Sequence, residues 1–443
     1  MNPQCELTIE DCSVRGFGLA PHPTQKAKVE VAHAIPGDRV RVELMRRKRA
    51  MQKGRLLELL ASSEFRVEPR CQHASLCGGC SWQAMDYEAQ IAQKEKMVRK
   101  AFKEIPLSHF SLLRCEDPWR YRNKMEFTFS ENRAGTRFLG LMIAHAEPYV
   151  FNLEQCHIAP AWMSECLGRV RSWWERSGLK AYHPHQNTGV LRYLTLRDTR
   201  MGQKMAILNV SEWKQEYEEG LLEAIGEGSA VVRVHHTKRG IPTSFSETVL
   251  AGPDHMVEEL RLSTGILRFI ISPSSFFQPN PHQAERLYDL VLQALGNEKL
   301  VYDLYCGAGT LSLAAASRAE HVVGIELHAQ AVSDARENAT FNGISNVQFY
   351  QGDTGAVLSQ LSGKPNAVIV DPPRAGLDEQ AIRYLRSLQP QKIIYVSCNP
   401  VTQAENIRAL GYDLVSLKGV DQFPHTPHIE TVALLDKGRS ELH

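Results

Sequence analysis

The 443-residue sequence contains no apolar run approaching the roughly 18 residues of a membrane span. Its start, Met1-Asn-Pro-Gln-Cys-Glu-Leu7, lacks the basic-then-apolar order of an export signal. Both absences point to a cytoplasmic protein. In that compartment the ten cysteines are expected as metal ligands or a nucleophile rather than as disulfides. Net charge is almost absent as well, at +1 from 51 basic and 50 acidic residues, but the balance conceals segregation. Arg41 to Arg55 holds seven basic residues and one acidic residue, Glu43, whereas Glu212 to Glu227 is acidic. A solvated face explains most charge runs, so the basic segment is by itself a weak sign of nucleic acid.

Apolar content of 43% and charged content of 23% are those of a globular chain, and the length requires more than one core. Residues 1–62 alternate as short strands (Glu6–Ile9, Lys28–Ala32, Arg39–Leu44) separated by glycine turns, which predicts a small barrel with a basic loop at Arg46, Arg47, Lys48 and Arg49. In 63–262, a helix is expected from Asp86 to about Phe102, with Asp86 as its cap. Strands near 125–130, 190–197, 205–210 and 231–236, with helices near 162–177 and 216–225, then predict a middle α+β domain. Trp119-Arg-Tyr-Arg-Asn-Lys124 interleaves aromatic and basic residues, a pattern that suits base stacking with phosphate contacts and equally an exposed strand edge. From 263 to 443 strands alternate with helices, which predicts a doubly wound parallel sheet closed by an antiparallel hairpin.

Cys71-x5-Cys77-Gly-Gly-Cys80 gathers three thiols within ten residues, and its glycines let the backbone wrap around sulfur. A fourth ligand is required; Cys156 is preferred over Cys115 and Cys166, with His73 and His157 read as bystanders. Four thiolates suit zinc and iron–sulfur clusters alike. A radical enzyme's C-x-x-x-C-x-x-C is not the spacing found here.

The C-terminal chemistry sits at strand ends, where open α/β sheets bind ligands. The first strand ends in Tyr305-Cys-Gly-Ala-Gly309 and the next in Glu326, a pairing that suits a nucleoside whose ribose the carboxylate holds. The third glycine of a dinucleotide turn is missing, since position 312 is Ser, and this favours S-adenosylmethionine over NAD. Asp371-Pro-Pro-Arg374 ends the fourth strand without the aromatic expected of an enzyme that methylates exocyclic nitrogens. Cys398 follows at the neighbouring strand end, 27 residues beyond Asp371. A thiolate is what methylation of uracil C5 needs, because addition at C6 makes C5 nucleophilic. Glu430 is the candidate base for the C5 proton. A nucleobase N-methyltransferase leaves both residues idle, and a non-catalytic RNA-binding protein leaves all the strand ends unexplained.

Asp371-Pro-Pro-Arg-Ala-Gly376, Tyr395-Val-Ser-Cys-Asn-Pro-Val-Thr402 and Asp421-Gln-Phe-Pro-His-Thr-Pro-His-Ile-Glu430 resemble the signatures of RNA uracil-C5 methyltransferases, and 1–62 resembles the OB-like TRAM module. The resemblance implies an RNA-binding barrel, a middle α+β domain that also binds RNA, and a Rossmann-like methyltransferase domain. It implies Cys398 as nucleophile, Glu430 as base, and a 4Fe–4S cluster on Cys71, Cys77, Cys80 and Cys156. S-adenosylmethionine contacts fall on Gln278, Tyr305, Thr310, Glu326, Asp353 and Asp371. The implied substrate is 23S ribosomal RNA, with tRNA as the alternative, methylated by a monomer.

Overall fold

In the computed structural model the described residues are 3–45, 51–107, 109–144, 149–237, 244–361 and 363–438; the basic loop Arg46 to Arg49 lies outside them. The N-terminal strands form a six-stranded sheet. Its two edge strands, Gln4–Thr8 and Asp11–Cys12, are successive pieces of one segment, so the chain itself joins one edge of the sheet to the other. Gln4–Thr8 pairs with Arg39–Leu44, and Asp11–Cys12 with Gly18–Pro21. Alternation carries Val40, Val42 and Leu44 inward onto Val29, Val31 and Ile9, while the arginines and the glutamate between them face out.

The middle of the chain forms a seven-stranded sheet that includes Lys124–Glu131, Leu191–Asp198, Lys204–Val210, Ser229–His236 and Ser244–Ala251. Helices Ala161–Ser177 and Glu218–Ile225 cover one face over Phe127, Leu194, Leu208 and Val232. The ribbon Met256–Leu262 with Gly265–Ile271 connects this sheet to the last one.

The C-terminal sheet has eight strands in the order Val347–Gln351, Ala319–Glu326, Glu298–Leu304, Ala367–Val370, Lys392–Ser397, Glu430–Asp436, Asp413–Val420 and Phe110–Leu113. The first five run parallel and Glu430–Asp436 runs against its neighbours, as the expected hairpin requires. Helices Pro281–Leu295 and Ala329–Phe341 pack on one face. Helices Tyr87–Ala101, Glu379–Leu388 and Pro400–Leu410 pack on the other.

The eighth strand differs from expectation. Phe110–Leu113 and helix Tyr87–Ala101 belong in sequence to 63–262, yet they complete the C-terminal sheet. An uncovered Asp413–Val420 would present unpaired N–H and C=O groups, and Phe110–Leu113 pairs with it in parallel. Among the described residues no helix is long and apolar enough to cross a membrane.

Candidate active site

The strand Glu298–Leu304 ends in a turn with three left-handed residues: Tyr305 at φ 66°, Gly307 at 55° and Gly309 at 81°. At Gly309 a Cβ would lie 2.9 Å from the Phe349 ring, so only glycine packs there; at Gly307 it would enter open space. Glu326, half-buried at the next strand end, accepts from the Gly307 N–H at 3.1 Å and from the His328 N–H at 2.9 Å. Beyond the third strand end, Asp353 caps helix Thr354–Leu358 by accepting from Gly355 and Ala356 at 3.0 and 3.1 Å. Thr310 opens helix Thr310–Ala315 and hydrogen-bonds the buried Tyr288 hydroxyl. Gln278 precedes helix Pro281–Leu295, and its side-chain oxygen accepts from Gln422 at 3.4 Å. Asp371 ends the fourth strand, where burial pushes its carboxyl up to about 7. Five of the six expected cofactor residues therefore end or follow the strands Glu298–Leu304, Ala319–Glu326, Val347–Gln351 and Ala367–Val370, and Gln278 is tied instead to Gln422.

Asp303, which sequence reasoning passed over, lies beneath them. It is fully buried, accepts from Ser312 Oγ at 2.5 Å through Oδ2, and leaves Oδ1 without a partner. Burial first, then Asp371 and Glu326, push it up to about 7. A lone acid within Leu300-Val-Tyr-Asp-Leu304 was the available signal.

Ser397 pairs with Thr431 in antiparallel register, so Cys398, just past its strand, comes beside Glu430, which opens the neighbouring strand and pairs on its other side with Val420. Thr431 Oγ1 donates to Ser397 O at 3.0 Å and fixes this corner. Asn399 caps helix Pro400–Leu410 while its Nδ2 donates to Arg374 O at 3.1 Å, which binds the two signature turns together. Burial raises the Cys398 thiol, and Glu430 and Asp371 raise it further against Arg374. Burial and then Asp371 hold the Glu430 carboxyl well above the usual range, again opposed by Arg374. Arg374 thus acts on both residues, a role the sequence did not suggest.

The segment before Glu430 is gripped from outside the sheet. Asp421 accepts from Lys94 Nζ and from Tyr87 Oη, and the Pro424 carbonyl accepts from Tyr121 Oη at 3.2 Å. The His425 N–H donates to Gln90 Oε1 at 2.8 Å, and its ring stacks on Trp119 with centroids 4.1 Å apart.

Cys71, Cys77, Cys80 and Cys156 line one cavity with Leu141, Leu153 and Gln83. The Gly79 N–H donates to Cys77 Sγ at 3.4 Å. His73 Nε2 accepts from the Glu154 N–H at 3.1 Å, while Cys115 donates to Asp117 O and Cys166 is buried among the residues of the Ala161–Ser177 core. No three described His, Cys, Asp or Glu side chains form a group that could hold a single metal ion.

The family model described as tRNA (uracil-5-)-methyltransferase matches residues 86–363 and 357–438. An uncharacterized RNA methyltransferase of Protochlamydia amoebophila is 40% identical, over 92% of this chain and 99% of its own. One from Caldanaerobacter subterraneus is 35% identical, over 97% of this chain and 98% of its own. The structure of Pyrococcus abyssi tRNA (uracil-54, C5)-methyltransferase, solved with S-adenosyl-L-homocysteine, superposes with a TM-score of 0.79 at 25% identity, covering 97% of this chain and all of that one. By fold, strand-end residues and these relatives, the chain belongs to the RNA uracil-C5 methyltransferase family.

Proposed function

We propose that this protein methylates C5 of a uridine in RNA from S-adenosylmethionine, with Cys398 as nucleophile and Glu430 as base. The observation that carries this reading is the adjacency of a half-buried thiol and a buried carboxyl at one strand end, beside Asp371. S-adenosylmethionine supplies the methyl group as a sulfonium. Its cationic groups suit the orphaned oxygen of Asp303 and the carboxyl of Asp371, Glu326 is read as holding the ribose hydroxyls, and the open space at Gly307 admits a ligand against the backbone. Gln278, Tyr305, Thr310 and Asp353 complete the proposed contacts.

Once its thiol proton has passed to solvent, Cys398 bonds through sulfur to C6, and the electron pair of the C5–C6 double bond moves toward O4, which makes C5 nucleophilic. Once C5 carries the methyl group, Glu430 takes the C5 proton, the C6–S bond breaks and the double bond returns. A carboxyl whose pKa is raised by burial is the stronger proton acceptor once ionised. Reaching C6 and C5 together requires the uridine to leave its stack, which favours a loop or single-stranded target.

Cys71, Cys77, Cys80 and Cys156 are proposed to hold a 4Fe–4S cluster. The support is four thiols around one cavity and an N–H donor to a sulfur. The joined N-terminal sheet is read as an OB-like TRAM barrel that binds RNA, and the protein as a cytoplasmic monomer. The barrel with the cysteine quartet favours 23S ribosomal RNA. The full-length likeness to a tRNA (uracil-54, C5)-methyltransferase favours tRNA as the second reading. Mass spectrometry of ribosomal and transfer RNA from a deletion strain tests both. Loss of a 5-methyluridine from 23S RNA is the expected result, its loss from tRNA selects the second reading, and no loss from either overturns the function.

A further inference from the structure

Among the described residues the seven-stranded sheet has helices on one face only, over Phe127, Leu194, Leu208 and Val232. Alternation sends Tyr193, Asn209, Arg233 and His235 to the opposite face. Register places Phe245 directly across from His235, on that same face. These side chains are ordered against one another. The His235 ring lies 6.3 Å from that of Tyr193 and 6.2 Å from that of Phe245, and its Nε2 is 3.0 Å from Asn209 Oδ1. The Arg233 guanidinium sits 4.7 Å from the centre of the Phe245 ring, which remains 48% exposed.

A single exposed phenylalanine on an outer strand means little. Three rings in a row, with a guanidinium across the last, make a surface with the π-faces and positive charge that bases and phosphates use. Arg233 is paired with Glu247 at 2.5 Å, and Lys124 stands among Arg197, Arg233 and Arg122 with Glu126 opposing, so four basic groups face two carboxylates. The row also leads somewhere. Arg233 Nη2 donates to Ser274 Oγ at 3.0 Å, and the buried Arg197 donates to the carbonyls of Ser272 and Ser275 at 2.9 and 3.0 Å. Four residues beyond Ser274 is Gln278, at the candidate cofactor site.

Resting on the RNA-methylation reading, we infer that this sheet face is a stacking platform for single-stranded RNA, with Tyr193, His235 and Phe245 receiving bases next to the segment that enters the active site. The test measures binding of a fluorescent oligouridine of about twelve nucleotides to the full-length protein. Phe245→Ala and Tyr193→Ala are each expected to raise Kd about tenfold, the loss of one stacked base, while Phe245→Trp keeps wild-type affinity. S-adenosylmethionine affinity should stay unchanged in all three, because the substitutions lie outside its site. Unchanged oligouridine affinity in both alanine variants overturns the platform. A change of oligomeric state in Phe245→Ala does so too, because the face would then meet protein. The two readings fail separately. A wild type that makes no 5-methyluridine but binds oligouridine through Phe245 refutes methylation alone; normal methylation with unmoved Kd refutes the platform alone.

Discussion

Lys94 and Asp421, 327 residues apart, form an ion pair closed to solvent: Nζ lies 2.5 Å from Oδ1 and both side chains are 0% exposed. Lys94 also donates to Phe423 O at 3.0 Å, and Tyr87 Oη donates to the other Asp421 oxygen at 2.7 Å. The helix that follows the cysteine segment therefore holds the turn that leads into Glu430. Removing one member of such a pair leaves a buried charge uncompensated. Lys94→Met is expected to destabilise the fold by about 3–5 kcal/mol in urea unfolding. Lys94→Met combined with Asp421→Leu should recover most of that loss, since no charge is then stranded. A single variant within about 1 kcal/mol of wild type would show that the pair carries no such weight.

In the proposed reaction the nucleophile and the base serve different halves. Cys398→Ala should give neither product nor adduct. Glu430→Gln should allow attack and methylation but stall before the thiolate leaves, so a protein–RNA band should survive boiling in denaturing gels. That band should vanish in the double variant. Normal turnover by Glu430→Gln would assign proton removal to another group.

Protein purified without oxygen should contain iron and acid-labile sulfide and absorb broadly in the visible range. Cys156→Ala, at the cavity, should lose both, whereas Cys115→Ala, whose thiol bonds Asp117 O, should keep them. Stoichiometric zinc without sulfide would overturn the cluster.

Asp303 should leave a signature in stability against pH. Its folded pKa, about 7, lies above the unfolded value near about 3.9, so the folded state binds the extra proton between them. The stabilisation is complete below the lower value and is lost as pH rises through about 7. Asp371 titrates in the same direction and adds to the slope. Thermal unfolding from pH 4 to 8 should show Asp303→Asn with a flatter decline than wild type. Parallel profiles would mean that the carboxyl is already ionised across that range.

Several strand ends were legible because each combines an apolar run with a residue that cannot extend it. Pro372 and Pro400 break the ladders after Asp371 and Cys398, and Gly307 and Gly309 supply left-handed turns. The cap at Asp86 and the strand Arg39–Leu44 were equally local, a short polar side chain before a helix and a strict alternation. Asp303 and Arg374 were missed for the opposite reason. One is an acid hidden in an apolar strand, and the other was read only as the absence of an aromatic.

The sequence by itself determined which reactive groups the chain carries and where along it: a thiol, an acid and a glycine turn at strand ends, and a quartet of cysteines. Tertiary structure alone decided what those groups face. It paired Phe110–Leu113 with Asp413–Val420, set Lys94 against Asp421, raised the carboxyls of Asp303, Asp371 and Glu430, and aligned Tyr193, His235 and Phe245 on one sheet face. The physical reason is distance along the chain. Propensity and periodicity report on neighbours within a few residues, whereas desolvation, ion pairing and edge pairing depend on segments that the sequence keeps far apart.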